Sequence, residues 1–352
     1  LPDMKVQFGV LLSSGLTFPN RGDLAKFDEL IKIIDGCGVA MIGTSDTSFI
    51  HGDAYVRAAL IAQAADNAMV GIHPTNPITR EPQIMAAFLA SIDAMTNGRA
   101  FMDIATGDSA VYNIGYKAAT RARLEDYISC VRGLLATGEA TYQGRPQRVR
   151  WHDKTVRAHI PITLCAEGPR MLHLGGRICD GVIAGTGLSP DVVRDTIARV
   201  QAGAKSEGRD PDSVDVWFTT RSSLNEDRNK AITGIHASVS SILNHSMRFG
   251  LDNKNVPGQF RQKIQEYVDG YELYDHILDG GRNPRRMEDL GLTDYAMERY
   301  ALAGNVTDWI ERIGAIADSG GVNIWFSTQH GGIEAQIHTM KLFAREIMPE
   351  FA

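Results

Sequence analysis

The chain has 352 residues, 43% of them hydrophobic and 22% charged, with 36 Lys and Arg against 42 Asp and Glu and a net charge of −6. That charge argues against a general nucleic-acid binder, because phosphate backbones are held mainly by positive charge. The apolar content argues against disorder, and no apolar run reaches the ~20 residues that a bilayer span needs.

The length alone leaves one domain or two open, because α/β barrels of about 250 residues and more form single units. Cys37, Cys130, Cys165 and Cys179 form no CxxC pair and share no metal-ligand spacing with a histidine. They read as reduced thiols of a cytosolic protein, packed as small hydrophobes. The opening LPDMKVQFGVLL has too short an apolar run for a cleavable signal peptide. His236 and His245 share no ligand spacing with a carboxylate, so no metal is expected.

An apolar, β-branched run predicts a first strand over 6–12, and Phe27, Leu30, Ile31 and Ile34 recur at helical spacing within 24–37. A strand over 39–43 and a helix over 54–65 follow, then a strand over 69–72 and a helix over 82–95 with Pro82 in its first turn. A strand over 100–104 and a helix over 124–135 come next. The alternation pauses at 140–151, where TYQGRPQRVRW reads as a polar β-hairpin. It resumes with a strand over 162–166, a helix over 170–178, a strand over 182–184, a helix over 190–206 and a strand over 214–219. A long helical stretch covers 226–249. A helix over 305–317 with Asn305 as N-cap, a strand over 322–326 and a helix over 333–351 end the chain.

Eight short buried strands, each followed by a helix, imply a parallel sheet with helices outside it. Eight such units fit a closed (β/α)8 TIM barrel with insertions better than two open sheets, and no GxGxxG follows the first strand. The expectation is one barrel domain over 1–352, with a β-hairpin before strand five and a helical insertion over 251–300, between strand seven and the helix over 305–317. The insertion is polar but carries Tyr267, Tyr271, Tyr274, Tyr295 and Tyr300. So long a connection suits a helical lid over the barrel mouth, with an oligomer interface as the alternative.

In such a barrel the active site is built from the loops that follow the strands. Here these are 44–53, 73–82, 105–115, 166–171, 185–190 and 327–332, all rich in Gly, Thr, Ser, Asn or Asp. Around Gly168 and Gly185-Thr186-Gly187, backbone amides next to a helix start suit a phosphate. Glu167 would repel that phosphate, so its side chain is expected to point away. Pro169 removes one donor, and a plain tight turn at Gly168-Pro169 is the alternative.

Two blocks carry a resemblance. In 76–108, NPITREPQIMAAFLASIDAMTNGRAFMDIATGD holds Thr75-Asn76-Pro77, Arg80-Glu81-Pro82, Asn97-Gly98-Arg99 and Thr106-Gly107-Asp108 at and around its ends. In 166–190, AEGPRMLHLGGRICDGVIAGTGLSP holds a GP-x-ML and a DGV element. Together they resemble the luciferase-like flavin-dependent oxidoreductases, and more closely the branch with methylenetetrahydromethanopterin reductase. The resemblance runs over 5–220 and 302–350 and is absent from 250–300.

The resemblance implies a luciferase-like barrel that binds a flavin or deazaflavin at the strand carboxyl ends. It implies ring contacts from Asp46, Thr75, Asn76 and Asp108 with their neighbours Thr47, Thr106 and Gly107. It implies phosphate contacts around Ala166, Glu167 and Gly168 and at Gly185, Thr186, Gly187 and Leu188. It also implies a backbone bulge after strand three, often cis, that presses on the ring. The matching bond is His73–Pro74, which is expected to be cis. Two departures stand out. The Asp-His of the family's deazaflavin dehydrogenases reads Asp46-Thr47 here, and Asp103 sits mid-strand, where a Lys or Arg partner or an outward orientation is expected.

His51 is a candidate proton-transfer group, or else a surface loop histidine. Asp108 is a candidate base or ring contact, or else an N-cap. Tyr112 and His330 are candidate pocket residues, His330 being otherwise a turn residue. The chemistry belongs to the cofactor. The first expectation is reduced FMN, giving with oxygen a C4a-hydroperoxide that oxygenates a small organic substrate, with a separate NAD(P)H-dependent flavin reductase as partner. The alternatives are hydride transfer with coenzyme F-420 and flavin binding without catalysis. A homodimer or homotetramer is expected, and the net negative charge argues against a strongly basic cleft for a long anionic tail.

Overall fold

The computed structural model describes residues 5–12, 22–276, 278–328 and 332–351. The chain runs through β1 (Gln7–Leu11), α1 (Leu24–Gly36), β2 (Met41–Thr44), the one-turn α2 (Ser48–His51), α3 (Ala54–Ala64), β3 (Met69–Thr75), α4 (Pro82–Met95), β4 (Ala100–Ile104), the one-turn α5 (Ser109–Tyr112) and α6 (Arg121–Thr137). An antiparallel hairpin, β5 (Glu139–Tyr142) with β6 (Arg145–Arg148), precedes β7 (Ile162–Ala166), α7 (Pro169–Ile178), β8 (Gly181–Ala184), α8 (Pro190–Ser206) and β9 (Asp215–Thr219). Then come β10 (Arg221–Leu224), α9 (Arg228–Thr233), α10 (His236–Met247), α11 (Gly258–Asp269), α12 (Arg282–Asp289), α13 (Thr293–Tyr300) and β11 (Ala301–Gly304). The chain closes with α14 (Val306–Asp318), β12 (Asn323–Ser327) and α15 (Ile333–Leu342).

Eight parallel strands form a closed barrel in the order β1-β12-β9-β8-β7-β4-β3-β2. They are the eight expected from the apolar runs. Pro82, Pro169 and Pro190 open α4, α7 and α8, where the missing N–H has no helical partner to lose. Asn305 and Asp308 cap α14 reciprocally.

Three features depart from expectation. The helical stretch over 226–249 is two helices, α9 and α10. β10 and β11 form a short parallel pair outside the barrel, which two four-residue runs far apart in the chain do not announce. The segment 251–300 is helical as expected, but it folds back with α10 around its own apolar cluster, which includes Ile242, Leu243, Ile264, Tyr267, Met287 and Tyr300.

The outward faces of the strands pack against the helices in one large core. Inside the barrel, alternate residues converge in a smaller cluster of Met41, Phe101, Ile183, Trp217 and Trp325. Trp325 is fully buried. It fits because Gly9 and Gly43 face it: a Cβ at Gly9 would lie 2.6 Å from the indole, and one at Gly43 3.2 Å. One large ring on β12 thus fills space left by glycines on β1 and β2, and forms part of the floor under the barrel mouth.

Candidate active site at the barrel mouth

At the end of β3 the His73–Pro74 peptide is cis, as the resemblance implied. The register of β3 against β4 shifts between Ile72 and Thr75. His73 itself was expected at the cofactor, yet its ring is turned into the barrel. It stacks on Trp325 with centroids 4.1 Å apart and planes 14° apart, and its Nδ1 lies 2.7 Å from Asp103 Oδ2. The partner of Asp103 is therefore this histidine, not the expected Lys or Arg. The carboxylate points inward because position 103 alternates inward with Phe101 on β4. Burial pushes the Asp103 carboxyl up, while His73 and Thr163 pull it down only in part.

Beyond β2 and β3, Asp46 Oδ2 accepts from the Thr75 hydroxyl at 2.8 Å and the Tyr55 hydroxyl at 3.0 Å. Arg80 lies over the Tyr55 ring, 3.3 Å from its centroid. Burial raises the Asp46 pKa against the pull of Thr75, Tyr55 and Arg80. Asn76 Oδ1 accepts from the amides of Ile78 and Thr79, which fixes the turn after β3. These bonds bring Asp46 and Thr75 together. The side chain of Thr47 makes no cap bond at the start of α2.

His51 is half-buried in α2, and its ring makes no hydrogen bond to a described residue. Burial and Arg57 push its pKa down to about 4. It is therefore a neutral imidazole rather than an imidazolium at physiological pH. His330 lies outside the described residues. Tyr112 is 46% exposed at the rim.

After β4, Gly107 has φ +99°, and a Cβ there would meet Val111 at 2.5 Å, so only glycine fits this turn. The turn presents Asp108, whose side chain makes no cap bond to α5. Its carboxylate reaches α10 instead: Oδ2 lies 2.6 Å from His245 Nδ1 and Oδ1 2.8 Å from Arg248 Nη2. His245 Nε2 lies 3.2 Å from Glu167 Oε1, and the Ser246 hydroxyl donates to Glu167 Oε2 at 3.2 Å. Glu167 therefore does point toward α10, but it also covers Gly185, whose added Cβ would meet Oε1 at 2.6 Å. Burial alone would lower the His245 pKa, but Glu167 and Asp108 more than offset it and raise it to about 9. Burial opposes ionisation of Asp108 too, yet His245 and Arg248 hold its carboxyl well below the usual range. A histidinium is thus clamped between two carboxylates at the mouth.

The phosphate loops differ from expectation in one respect. The amide of Gly185 donates to Ala166 O and that of Leu188 to Arg299 O, so neither is free for an anion. The amides of Glu167, Gly168, Thr186 and Gly187 donate to no described residue. The Thr186 hydroxyl is paired with Thr196. Behind this loop Arg299, 2% exposed, donates to the carbonyls of Thr186, Lys254 and Asn255 and to the Tyr295 hydroxyl. Replacing Arg299 with Ala leaves those acceptors unpaired. It is expected to cost about 2–4 kcal/mol and to loosen the 186–188 loop. Urea denaturation of wild type and variant checks this, and a loss near zero would refute the role.

His245 was weighed from the sequence only as a metal ligand, and Arg248, Lys254 and Arg299 were not singled out. One signal was available: His245 and Arg248 are three apart, so they share a helix face, in a segment that follows a barrel strand. The net negative chain nevertheless has a locally cationic mouth, because Arg221, Arg248, Lys254, Arg299 and charged His245 gather around Asp108 and Glu167.

A closed α/β barrel with charged and glycine-rich turns at its carboxyl end has the architecture of an enzyme whose active site lies at that end. The model of the luciferase-like monooxygenase family matches residues 6–323, and the chain belongs to that family. It is an oxidoreductase of the flavin- or deazaflavin-dependent kind. It is 25% identical over 341 residues to the 5,10-methylenetetrahydromethanopterin reductase of Methanolobus tindarius, covering 96% of this chain and 100% of that one. It is 24% identical over 188 residues to an F420-dependent glucose-6-phosphate dehydrogenase of Nakamurella multipartita, covering 51% of this chain and 55% of the other. Its fold matches the coenzyme F420 dependent tetrahydromethanopterin reductase of Methanopyrus kandleri with a TM-score of 0.74 at 21% identity, over 99% of this chain and 100% of that one. No described helix is long and apolar enough to cross a membrane.

Proposed function

We propose that this protein transfers a hydride between coenzyme F420 and a carbon atom of a small organic substrate. The likeness over 96% of the chain to a reductase, with F420 named for a protein of the same fold, supports this reading over the FMN monooxygenase expected first. The observation in the site that carries it is the His245 clamp: reversible hydride transfer to a polar double bond needs a proton held beside it. The residues fit such a group, since the amides of Gly168, Thr186 and Gly187 donate to no described residue, a Cβ at Gly168 would meet open space and the mouth is locally cationic. When bound, the deazaflavin supplies the hydride chemistry.

The chain's residues orient, charge and enclose. Thr75, Asn76 and the turn at Pro74 lie where the ring is expected, with Asp46 fixing Thr75. Unpaired amides at Gly168, Thr186 and Gly187 lie where the phosphate is expected. His245 holds a proton on each ring nitrogen. Its Nε2 contact to Glu167, at 3.2 Å, is longer than its Nδ1 contact to Asp108, at 2.6 Å, so the Nε2 proton is the one more readily redirected to a substrate heteroatom. We assign α11 to α13 as a lid on the single barrel domain, excluding water. The four free cysteines suit a reducing cytoplasm, where we place the protein.

A second reading keeps reduced FMN, oxygen and a separate NAD(P)H-dependent flavin reductase. It is favoured by the fold match, TM-score 0.70, to a monooxygenase of Streptomyces bottropensis. Titration with F420 and with reduced FMN, first under argon and then under oxygen, separates the two. Binding of F420 and indifference to oxygen is expected. Binding of reduced FMN alone, with oxygen uptake, would overturn the proposal.

A further inference from the structure

The chemistry at the mouth uses neither member of the pair buried beneath it. Asp103 on β4 is fully buried inside the barrel, and His73 at the end of β3 is nearly so. The imidazole Nδ1 lies 2.7 Å from Asp103 Oδ2, and the Thr163 hydroxyl, opposite Asp103 on β7, is a second partner of the carboxylate. The cluster on which this pair rests is hydrophobic: Phe101, Ile183, Trp217 and Trp325. A buried polar pair adds little net stability over apolar side chains of the same volume, because desolvation offsets the attraction. Its best-attested use is to fix one arrangement among several.

The arrangement fixed here is a bulge. Ile72 pairs with Met102 and Thr75 with Ile104, so His73 and Pro74 on β3 stand opposite Asp103 alone on β4. The extra residue of a bulge lies outside the ladder, and the bulge re-aims the chain that follows. In this bulge His73 is bonded by its side chain to the very residue it faces. The bulge is thus tied from below, by His73 to Asp103. It is tied at its far end by the Thr75 hydroxyl to Asp46 at 2.8 Å and by the Ala105 amide to the Thr75 carbonyl at 2.9 Å. The Trp325 indole, stacked 4.1 Å from the imidazole, blocks retreat of His73 on that side. Cutting the lower tie frees the height of the bulge at Pro74 while Thr75 stays anchored.

We propose that Asp103 is a positioning residue for the redox ring: by holding the His73 imidazole it sets how far the bulge at Pro74 and Thr75 stands into the mouth. This rests on the reading of the mouth as a deazaflavin site. Both side chains lie under the bulge, so their effect on a bound ring passes through the backbone of 73–75. The effect is large for its size, because a misplacement of about 1 Å at a reacting centre costs roughly a hundredfold.

The test uses the full chain as wild type, as Asp103→Asn, and as a double variant, His73→Phe with Asp103→Ala. Asn offers the imidazole a hydrogen-bond partner in the shape of Asp. The double variant removes the polar pair but keeps an aromatic ring against Trp325, and the larger Phe offsets the smaller Ala. Ligand-free Tm, F420 affinity by calorimetry and the visible absorption band of bound F420 are measured. The double variant is expected to have a Tm equal to or above that of wild type. It should bind F420 roughly ten- to a hundredfold more weakly and lose the band shift that the wild-type site imposes. Asp103→Asn should recover most of the affinity and the band position. A lower Tm in the double variant would make the pair a stabilising element and overturn the proposal. Wild-type affinity and band position in the double variant would overturn it too, as would an Asp103→Asn that behaves like the double variant. In a wild type that takes reduced FMN and no F420, a matching loss of FMN affinity in the double variant supports the positioning role while removing the deazaflavin reading.

Discussion

Replacing His245 with Gln is expected to lower turnover by roughly a hundred- to ten-thousandfold, the range for losing a positioned proton-transfer group. Deazaflavin binding should change little, because the glycine turns and loop amides are untouched. The assay is the change in deazaflavin absorbance with substrate. A variant that keeps full turnover would remove His245 from the chemistry and leave it a structural ion pair.

The pH dependence gives an independent readout. The folded His245 pKa is about 9, above the ordinary value of 6.5. The imidazolium is therefore stabilised by folding, and that contribution is complete below about 6.5 and lost as pH rises through about 9. Asp108 is shifted the other way, below the usual carboxylate range, so its contribution is present above about pH 4 and lost on acidification. Wild-type stability should thus be flat between about pH 4 and 6.5 as far as this cluster is concerned, with a decline toward pH 9 that Gln at 245 abolishes. In turnover, reactions that need the imidazolium as acid should lose rate above about pH 9. Thermal denaturation across pH and a pH–rate profile measure the two limbs. An alkaline limb that survives in the variant would assign it to another group.

Replacing Trp325 with Ala is expected to cost about 3–5 kcal/mol, the range for a buried Trp whose cavity cannot fully collapse. The reason for the upper range is its setting. Gly9 and Gly43 have no side chains to move into the void, and the parallel strands that carry them are hydrogen-bonded on both sides. The loss also removes the ring stacked on His73, freeing the His73–Asp103 pair to move beneath the mouth. Urea unfolding measures the first effect and the affinity for the deazaflavin the second. A loss under about 1 kcal/mol would mean that the barrel floor repacks around the gap.

The barrel was legible because its signals are local. β-Branched runs, helical repeats such as Phe27, Leu30, Ile31 and Ile34, and the capping residue Asn305 lie within a turn or two of what they specify. The loops after the strands followed from the fold, and Asp108 from its place at a strand end; Asp46 and Thr75 followed from the family resemblance. Less legible were the elements that depend on a distant segment. β10 is a strand because β11 runs beside it, and α9 and α10 separate where the chain turns to pack against α12 and α13.

The site divides in the same way. The sequence by itself determined that the strands are eight, that their carboxyl ends carry Gly, Thr, Asn and Asp, and that an Asp lies in the loop after the fourth strand. Only the tertiary structure decided what those residues do. Asp108 had the place of an N-cap, yet it meets His245 and Arg248. His73 had the place of a ring contact, yet it turns inward to Asp103. Periodicity is a property of neighbouring residues and can be read along the chain. The protonation of a histidine is set by charge and dielectric summed over groups that only folding brings together.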